Sequence, residues 1–193
     1  MCMPRQTDTR SRILEIAQPL LQRRSFNGFS YRHLADALGI KTAAVHYHFP
    51  SKTDLGVELA AELRRGFQRW AADVDSRIPS PRDRLNAFFE MHRHFLDEEV
   101  ASPFGVLEAE YSSLPDRMRH GVRSLASEIH GWVARTLRQG LDSGELAFLG
   151  DADNQAIVVG ATVQGALYLA RAFGPDHYHA AISQLKQLMA PDM

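Results

Sequence analysis

The sequence predicts an all-α protein of about nine helices. Apolar residues recur at steps of three and four along most of the chain, and no segment shows the period-two alternation of a half-buried strand. Proline and glycine, in turn, cut the chain into helix-sized lengths. At 193 residues, 45% of them apolar and 23% charged, the chain is long enough to bury a substantial core and ordinary enough to be globular.

Ile13, Ile16, Ala17, Leu20 and Leu21 form the stripe of the first helix, with Thr7, Asp8 or Thr9 placed to cap its start. Pro19 falls inside that stripe, where a missing N–H predicts a local kink. A second helix fits Tyr31 to Leu38, between Ser30 as N-cap and Gly39 as a left-handed stop. A third fits Thr42 to His48 and is too short to persist without neighbours. Pro50 ends it. Ser51 and Asp54 then make a capping-box-like start for a fourth helix. Its stripe of Leu55, Leu59, Leu63, Phe67, Trp70 and Val74 runs about twenty residues, roughly 30 Å at 1.5 Å per residue.

The turn I-P-S-P-R-D at 78–83 interrupts the chain, and a helix with Leu85, Phe88, Phe89, His92, Phe95 and Leu96 follows. Next come a short helix carrying Phe104, Leu107, Glu108 and Tyr111 and a long one carrying Val122, Leu125, Ile129, Trp132 and Thr136. After the breaks at S-G-E and L-G-D-A-D, the last two helices are expected over Asp151 to Phe173 and Asp176 to Met189.

Charge is unevenly placed although the net is only −1. Through residue 56 eight Arg and Lys stand against four Asp and Glu, whereas the remainder holds fourteen against nineteen. A basic head on an acidic body suits a polyanion-binding module joined to something else. The one cysteine, Cys2, excludes an internal disulfide or a multi-cysteine zinc site and fits a reducing compartment. No apolar stretch of signal-peptide length follows the N-terminus and no uninterrupted apolar run approaches 18 residues, so the expected setting is cytoplasmic, with no membrane partner.

Two short helices joined by a glycine turn, in Y-R-H-L-A-D-A-L-G-I-K-T-A-A-V-H-Y-H-F, form a helix-turn-helix pattern, whose second helix enters the DNA major groove. Leu34, Leu38, Ile40, Val45 and Phe49 supply its inner face, and Ala35 permits close approach. Lys41, Thr42, Ala43, His46 and Tyr47 are left facing the groove, and Lys52 at a helix N-terminus is placed for a phosphate. His46 and His48, two apart on a helix, diverge and make a poor metal pair, so no metal site is expected. No strained nucleophile motif such as G-x-S-x-G is present, and no catalytic residue or cofactor is expected.

The stretch V-H-Y-H-F-P-S-K-T-D-L, with T-R-S-R-I-L-E-I-A, F-N-G-F and L-A-D-A-L-G-I before it, resembles the TetR family of bacterial transcriptional regulators over about Thr9 to Leu59. The family usually has tyrosine where this chain has His46, with the tyrosine moved to Tyr47. The resemblance implies a helix-turn-helix DNA-binding domain over 7–67 and a C-terminal ligand-binding and dimerisation domain over 68–193. On that basis the residues expected to meet DNA are Ser30, Tyr31, Lys41, Thr42, Ala43, Ala44, His46, Tyr47 and Lys52.

His92 and Glu108 lie on apolar stripes, where a polar group needs a partner. Either each is satisfied within the core, or they line an apolar cavity with Phe89, Phe104, Leu107, Tyr111 and Trp132. The resemblance implies such a pocket, and the aromatic set points to a hydrophobic or aromatic small-molecule effector. Some relatives sense electrophiles through a cysteine, which this body lacks.

The helix over 156–173 is apolar nearly all round, so it is either buried in a monomer or packed against its copy. The resemblance favours a homodimer with Gln164, Tyr168, Ile182 and Leu185 at the interface. The implied activity is that of a ligand-responsive regulator, by family default a repressor released from double-stranded DNA at a near-palindromic operator. The alternative is a helical small-molecule-binding or scaffold protein with a vestigial head.

Overall fold

The computed structural model describes residues 6–191. Among these there are nine α-helices and no strand: α1 (Gln6–Gly28), α2 (Tyr31–Leu38), α3 (Thr42–His48), α4 (Lys52–Arg77), α5 (Pro81–Asp97), α6 (Pro103–Ala109), α7 (Asp116–Ser143), α8 (Ala152–Phe173) and α9 (Asp176–Leu188). A short 3-10 turn, Tyr111–Ser113, follows α6. The all-α expectation holds, and α2 and α3 have the bounds that their caps predict.

One expectation for α1 fails, and the helix carries a break further on. Its backbone is already helical at Gln6, so Thr7, Asp8 and Thr9 occupy positions within the helix and not the one before it, while Cys2 lies outside the described residues. Pro19 sits inside α1, but the residue with non-helical dihedrals is Ser25 (φ 63°, ψ 167°). The position of the break has a polar cause. The Glu110 carboxylate accepts from Phe26 N–H at 2.6 Å, from Asn27 N–H at 3.2 Å and from Asn27 Nδ2 at 2.9 Å. It thereby satisfies backbone donors released where the helix breaks.

The chain forms two compact units. The first comprises Met1–Arg64 and Pro103–Leu125, so the segment beginning at α6 clusters with the N-terminal helices although the sequence division assigns it to the C-terminal part. Here α1 packs on α2 and α6, and α2 packs on α3. Ile13, Leu21, Leu34, Val45, Leu55, Leu59, Leu107 and Met118 are fully buried. Gly56 allows this packing: a Cβ there would lie 2.4 Å from Met118 Sδ and 2.8 Å from Phe26 Cζ.

The second unit comprises Arg65–Ser102 and Ala126–Met193. In it α8 packs extensively on α9, and α5 packs on α8. The buried Tyr178 hydroxyl donates to the Phe89 carbonyl at 2.7 Å, tying α9 to α5. An aromatic cluster fills the centre. Trp70 and Trp132 stand 5.1 Å apart, and Phe67 and Phe88 lie 6.2 and 5.8 Å from Trp132.

Among the described residues one helix, α8, is long and apolar enough by length and composition to cross a membrane. Ala156, Val159, Val163, Ala166, Leu167 and Ala170 face inward along it, whereas Ile157, Val158, Tyr168, Leu169 and Phe173 are exposed. Both sides being apolar accounts for the high hydropathy.

Candidate DNA interface and effector site

The proposed reading helix is built by a sequence of local devices. Ser30 N–H donates to His33 Nδ1 at 3.0 Å, which fixes the entry to α2. Gly39, at φ 65°, turns the chain out of α2, and Ile40 N–H returns to the Ala35 carbonyl at 3.0 Å. Phe49 N–H closes α3 on the Val45 carbonyl at 2.9 Å. Next, Ser51 and Asp54 cap one another: Ser51 N–H donates to the Asp54 carboxylate at 3.2 Å and Asp54 N–H to Ser51 Oγ at 3.1 Å. Ser51 Oγ and Arg117 also donate to that carboxylate and lower its pKa from the usual value.

These devices orient α3 with Val45 inward and its polar side outward. Of the nine residues expected to meet DNA, Ser30, Lys41, Thr42, Ala43, His46 and Tyr47 are exposed, Tyr47 at 70%, and Ala44 is half-buried. The other two are placed differently. Tyr31 is 7% exposed, and its hydroxyl donates to the Phe49 carbonyl at 2.8 Å. Burial, and then the Asp54 charge, push that phenol up to about 12. Tyr31 is therefore a pin between the start of α2 and the end of α3, with its ring 4.6 Å from the His46 ring, and it presents no hydroxyl for a phosphate.

Lys52 is half-buried: its ammonium donates to the Phe29 carbonyl and lies 4.7 Å from the ring centres of both Phe26 and Phe29. Burial pulls its pKa down, opposed by the charge of Glu110. The expected phosphate contact gives way here to an internal one, because the ammonium is drawn into the turn between α1 and α2.

The residues expected to line an effector pocket are divided between the two units. In the first, Leu107 is fully buried, Phe104 is half-buried and Glu108 is exposed, which corrects its expected place on a buried stripe. The Glu108 carboxyl is nevertheless raised by desolvation from the surrounding protein. The Tyr111 hydroxyl accepts from Arg123 Nε, and the Arg123 guanidinium lies 5.6 Å from the Tyr111 ring centre.

In the second unit Trp132 is 1% and His92 4% exposed. Trp132 Nε1–H is shared between both oxygens of Asp75 at 3.2 Å. The Phe88 ring, 4.5 Å from His92 and 5.8 Å from Trp132, joins the two, a role that its position in a plain apolar stripe did not reveal. Phe89 belongs elsewhere. It is a wall of a cleft of about 410 Å³ beside α9, lined also by Arg82, Leu85, Leu146, Lys186 and Met189.

No local sequence pattern signals the Glu110 latch on Phe26 and Asn27. Its partners lie 84 and 83 residues away, beyond any local pattern. Of the four residues expected at a dimer interface, Tyr168 is exposed and Gln164 half-buried. Ile182 and Leu185 are buried in the chain's own core, because α9 turns its apolar stripe inward with Tyr178. Among the described residues no cluster of three or more His, Cys, Asp or Glu is arranged to hold a metal ion.

Residues 13–59 match the N-terminal region of bacterial regulatory proteins of the tetR family, and residues 81–185 match the tetracyclin repressor-like C-terminal domain. The chain belongs to the TetR family. It is 27% identical to a TetR-family transcriptional regulator from Agrobacterium tumefaciens, superposing with a TM-score of 0.91 over 95% of this chain and 98% of that one. The HTH-type transcriptional repressor NemR of Escherichia coli is 24% identical over 95% of this chain and 94% of its own length. The HTH-type transcriptional repressor KstR2 of Mycobacterium tuberculosis is 31% identical over 84 residues, and the chain spans only 40% of its length.

Proposed function

We propose that the protein is a ligand-responsive, DNA-binding transcriptional regulator that represses by occupying a near-palindromic operator as a homodimer and is released by a small hydrophobic or aromatic effector. The observation that carries this reading is the outward face of α3, where Lys41, Thr42, Ala43, His46 and Tyr47 are exposed while Val45 packs inward. Such a face offers donors and small apolar surface to base edges. Two relatives, NemR and KstR2, bear the name of transcriptional repressor.

The reading assigns 7–67 to the DNA-binding head and 68–193 to the effector-binding and dimerisation body, and it needs no cofactor and no catalytic residue. Ser30 and Ala44 flank the reading face. The partner copy packs on the exposed α8 side of Ile157, Val158, Tyr168 and Leu169, with Gln164 between. Covering that side with protein also makes a cytoplasmic location reasonable for so apolar a helix. Two heads of one dimer then address half-sites about 34–36 Å apart or a related spacing. An effector lowers affinity by preferring the form of the dimer whose heads do not fit that spacing.

The test is a mobility-shift titration on the DNA upstream of the protein's own gene across salt. Binding that weakens steeply with salt supports the reading. Absence of any complex at low salt overturns it in favour of a helical ligand-binding protein.

A further inference from the structure

The imidazole of His92 is buried beside the aromatic centre of the second unit, at 4% exposure. Its geometry fixes its tautomer. Nδ1 lies 2.9 Å from the Phe88 carbonyl oxygen, which can only accept, so the ring proton is on Nδ1 and Nε2 carries a lone pair. Burial lowers the imidazole pKa to about 4, so the ring is neutral at neutral pH.

Among the described residues no hydrogen bond reaches Nε2. Among the described residues no buried side-chain nitrogen or oxygen is left without a hydrogen-bond partner, and the hydrogen bond of His92 leaves from Nδ1. Nε2 therefore keeps a small accessible surface, although nearly all of the side chain is covered. Its surroundings are aromatic, with ring centres of Phe88 at 4.5 Å and Phe95 at 6.1 Å, and with Trp70 and Trp132 beyond Phe88. The neighbouring carboxylate on this cluster, Asp75, is taken up by Trp132 Nε1 and by Arg84.

We infer that His92 Nε2 is the orienting acceptor of the effector site, and that the effector is a neutral aromatic molecule bearing a hydrogen-bond donor, such as a phenolic hydroxyl or ring N–H. This rests on the reading of the body as effector-binding and specifies its ligand chemistry. An anion would set its charge against the lone pair, and an ammonium, although aromatic faces attract it, would lose its hydration beside a carboxylate that Trp132 and Arg84 already engage. A donor-less analogue of the same shape would bury the acceptor unpaired. A site built around one polar group discriminates most strongly by that mismatch.

The protein supplies its own reporter, because its two tryptophans, Trp70 and Trp132, both belong to this cluster. Fluorescence titrations of the full chain with phenol and anisole, and calorimetric titrations with indole and N-methylindole, whose own emission would mask the tryptophans, compare donor and donor-less probes of like frame. Benzoate and benzylamine supply the anionic and cationic arms. The expected result is donor binding at least tenfold tighter than that of the methylated partner, little binding of either charged probe, loss of the donor preference in His92→Phe and its retention in His92→Gln. A melting scan of each variant checks that it is folded.

Equal binding of donor and donor-less probes, an unchanged preference in His92→Phe, preferential binding of a charged probe, or no binding by any probe overturns the inference. Operator binding in the mobility shift is measured separately. If it persists while the donor preference is absent, the inference alone has failed. If the operator is not bound, the regulatory reading has failed.

Discussion

The Tyr31 hydroxyl reaches across eighteen residues to donate to the Phe49 carbonyl at 2.8 Å, joining the first residue of α2 to the residue that ends α3. The same ring braces His46 at 4.6 Å, so the residue that closes the helix-turn-helix also supports a side chain on the exposed face of α3. Tyr31→Phe keeps the ring and removes the donor, leaving a buried carbonyl unpaired. It is expected to cost about 1–2 kcal/mol of head stability. Chemical denaturation checks that, and binding to operator and random duplexes should weaken by a similar factor.

Glu110 holds three N–H groups at the broken end of α1. Glu110→Ala releases them, and Ser25 then keeps its uncommon dihedrals without compensation. A loss of about 1–3 kcal/mol is expected, with faster amide exchange at Phe26 and Asn27 than elsewhere in α1. Exchange unchanged at those two amides contradicts the latch.

Gly56 is where a single methyl group tests the packing of α4. A Cβ there meets the flexible Met118 thioether and the less yielding Phe26 ring. Gly56→Ala gains helix propensity but overpacks this contact, and a net destabilisation of about 1–3 kcal/mol is expected in a melting experiment.

His92 gives the body a pH dependence of definite sign. Its folded pKa of about 4 lies below the ordinary histidine value, so between the two the unfolded chain binds a proton that the folded chain does not. Stability is full above about pH 6.5 and falls as the pH drops toward 4, by up to about 3 kcal/mol from this one group. Comparing wild type with His92→Phe over that range isolates the contribution. Parallel curves contradict a buried neutral imidazole.

Tyr168 and Val158 lie on the exposed side of α8. Placing charge there, as in Val158→Glu with Tyr168→Glu, should leave the protomer folded and convert a dimer to a monomer in analytical ultracentrifugation, because both positions lie outside the protomer's own core. An unchanged sedimentation coefficient removes α8 from the interface.

The helices themselves were legible because their signals are local. Ser30 and Gly39 delimit α2, Ser51 with Asp54 starts α4, and the stripes of α5 and α8 face the core as their periods require. What escaped depends on partners distant in the chain. Pro19 signals a local bend through its own missing N–H, whereas the break at Ser25 accompanies Glu110, more than eighty residues on. Tyr31 and Lys52 have the residue types of DNA contacts, but their polar ends are taken by the carbonyls of Phe49 and Phe29. Ile182 and Leu185 form an apolar stripe that fits an interface as well as a core, and only the packing of α9 decides for the core.

The central claim is that α3 reads duplex DNA through Thr42 and Tyr47. The direct measurement is fluorescence anisotropy of the wild type and the double variant Thr42→Ala, Tyr47→Ala on the upstream duplex and on a scrambled duplex of equal length. The account predicts that the wild type prefers the upstream duplex, and that the variant, with an unchanged melting temperature, loses that preference by about 1–3 kcal/mol per contact. A variant that keeps the full preference would contradict it.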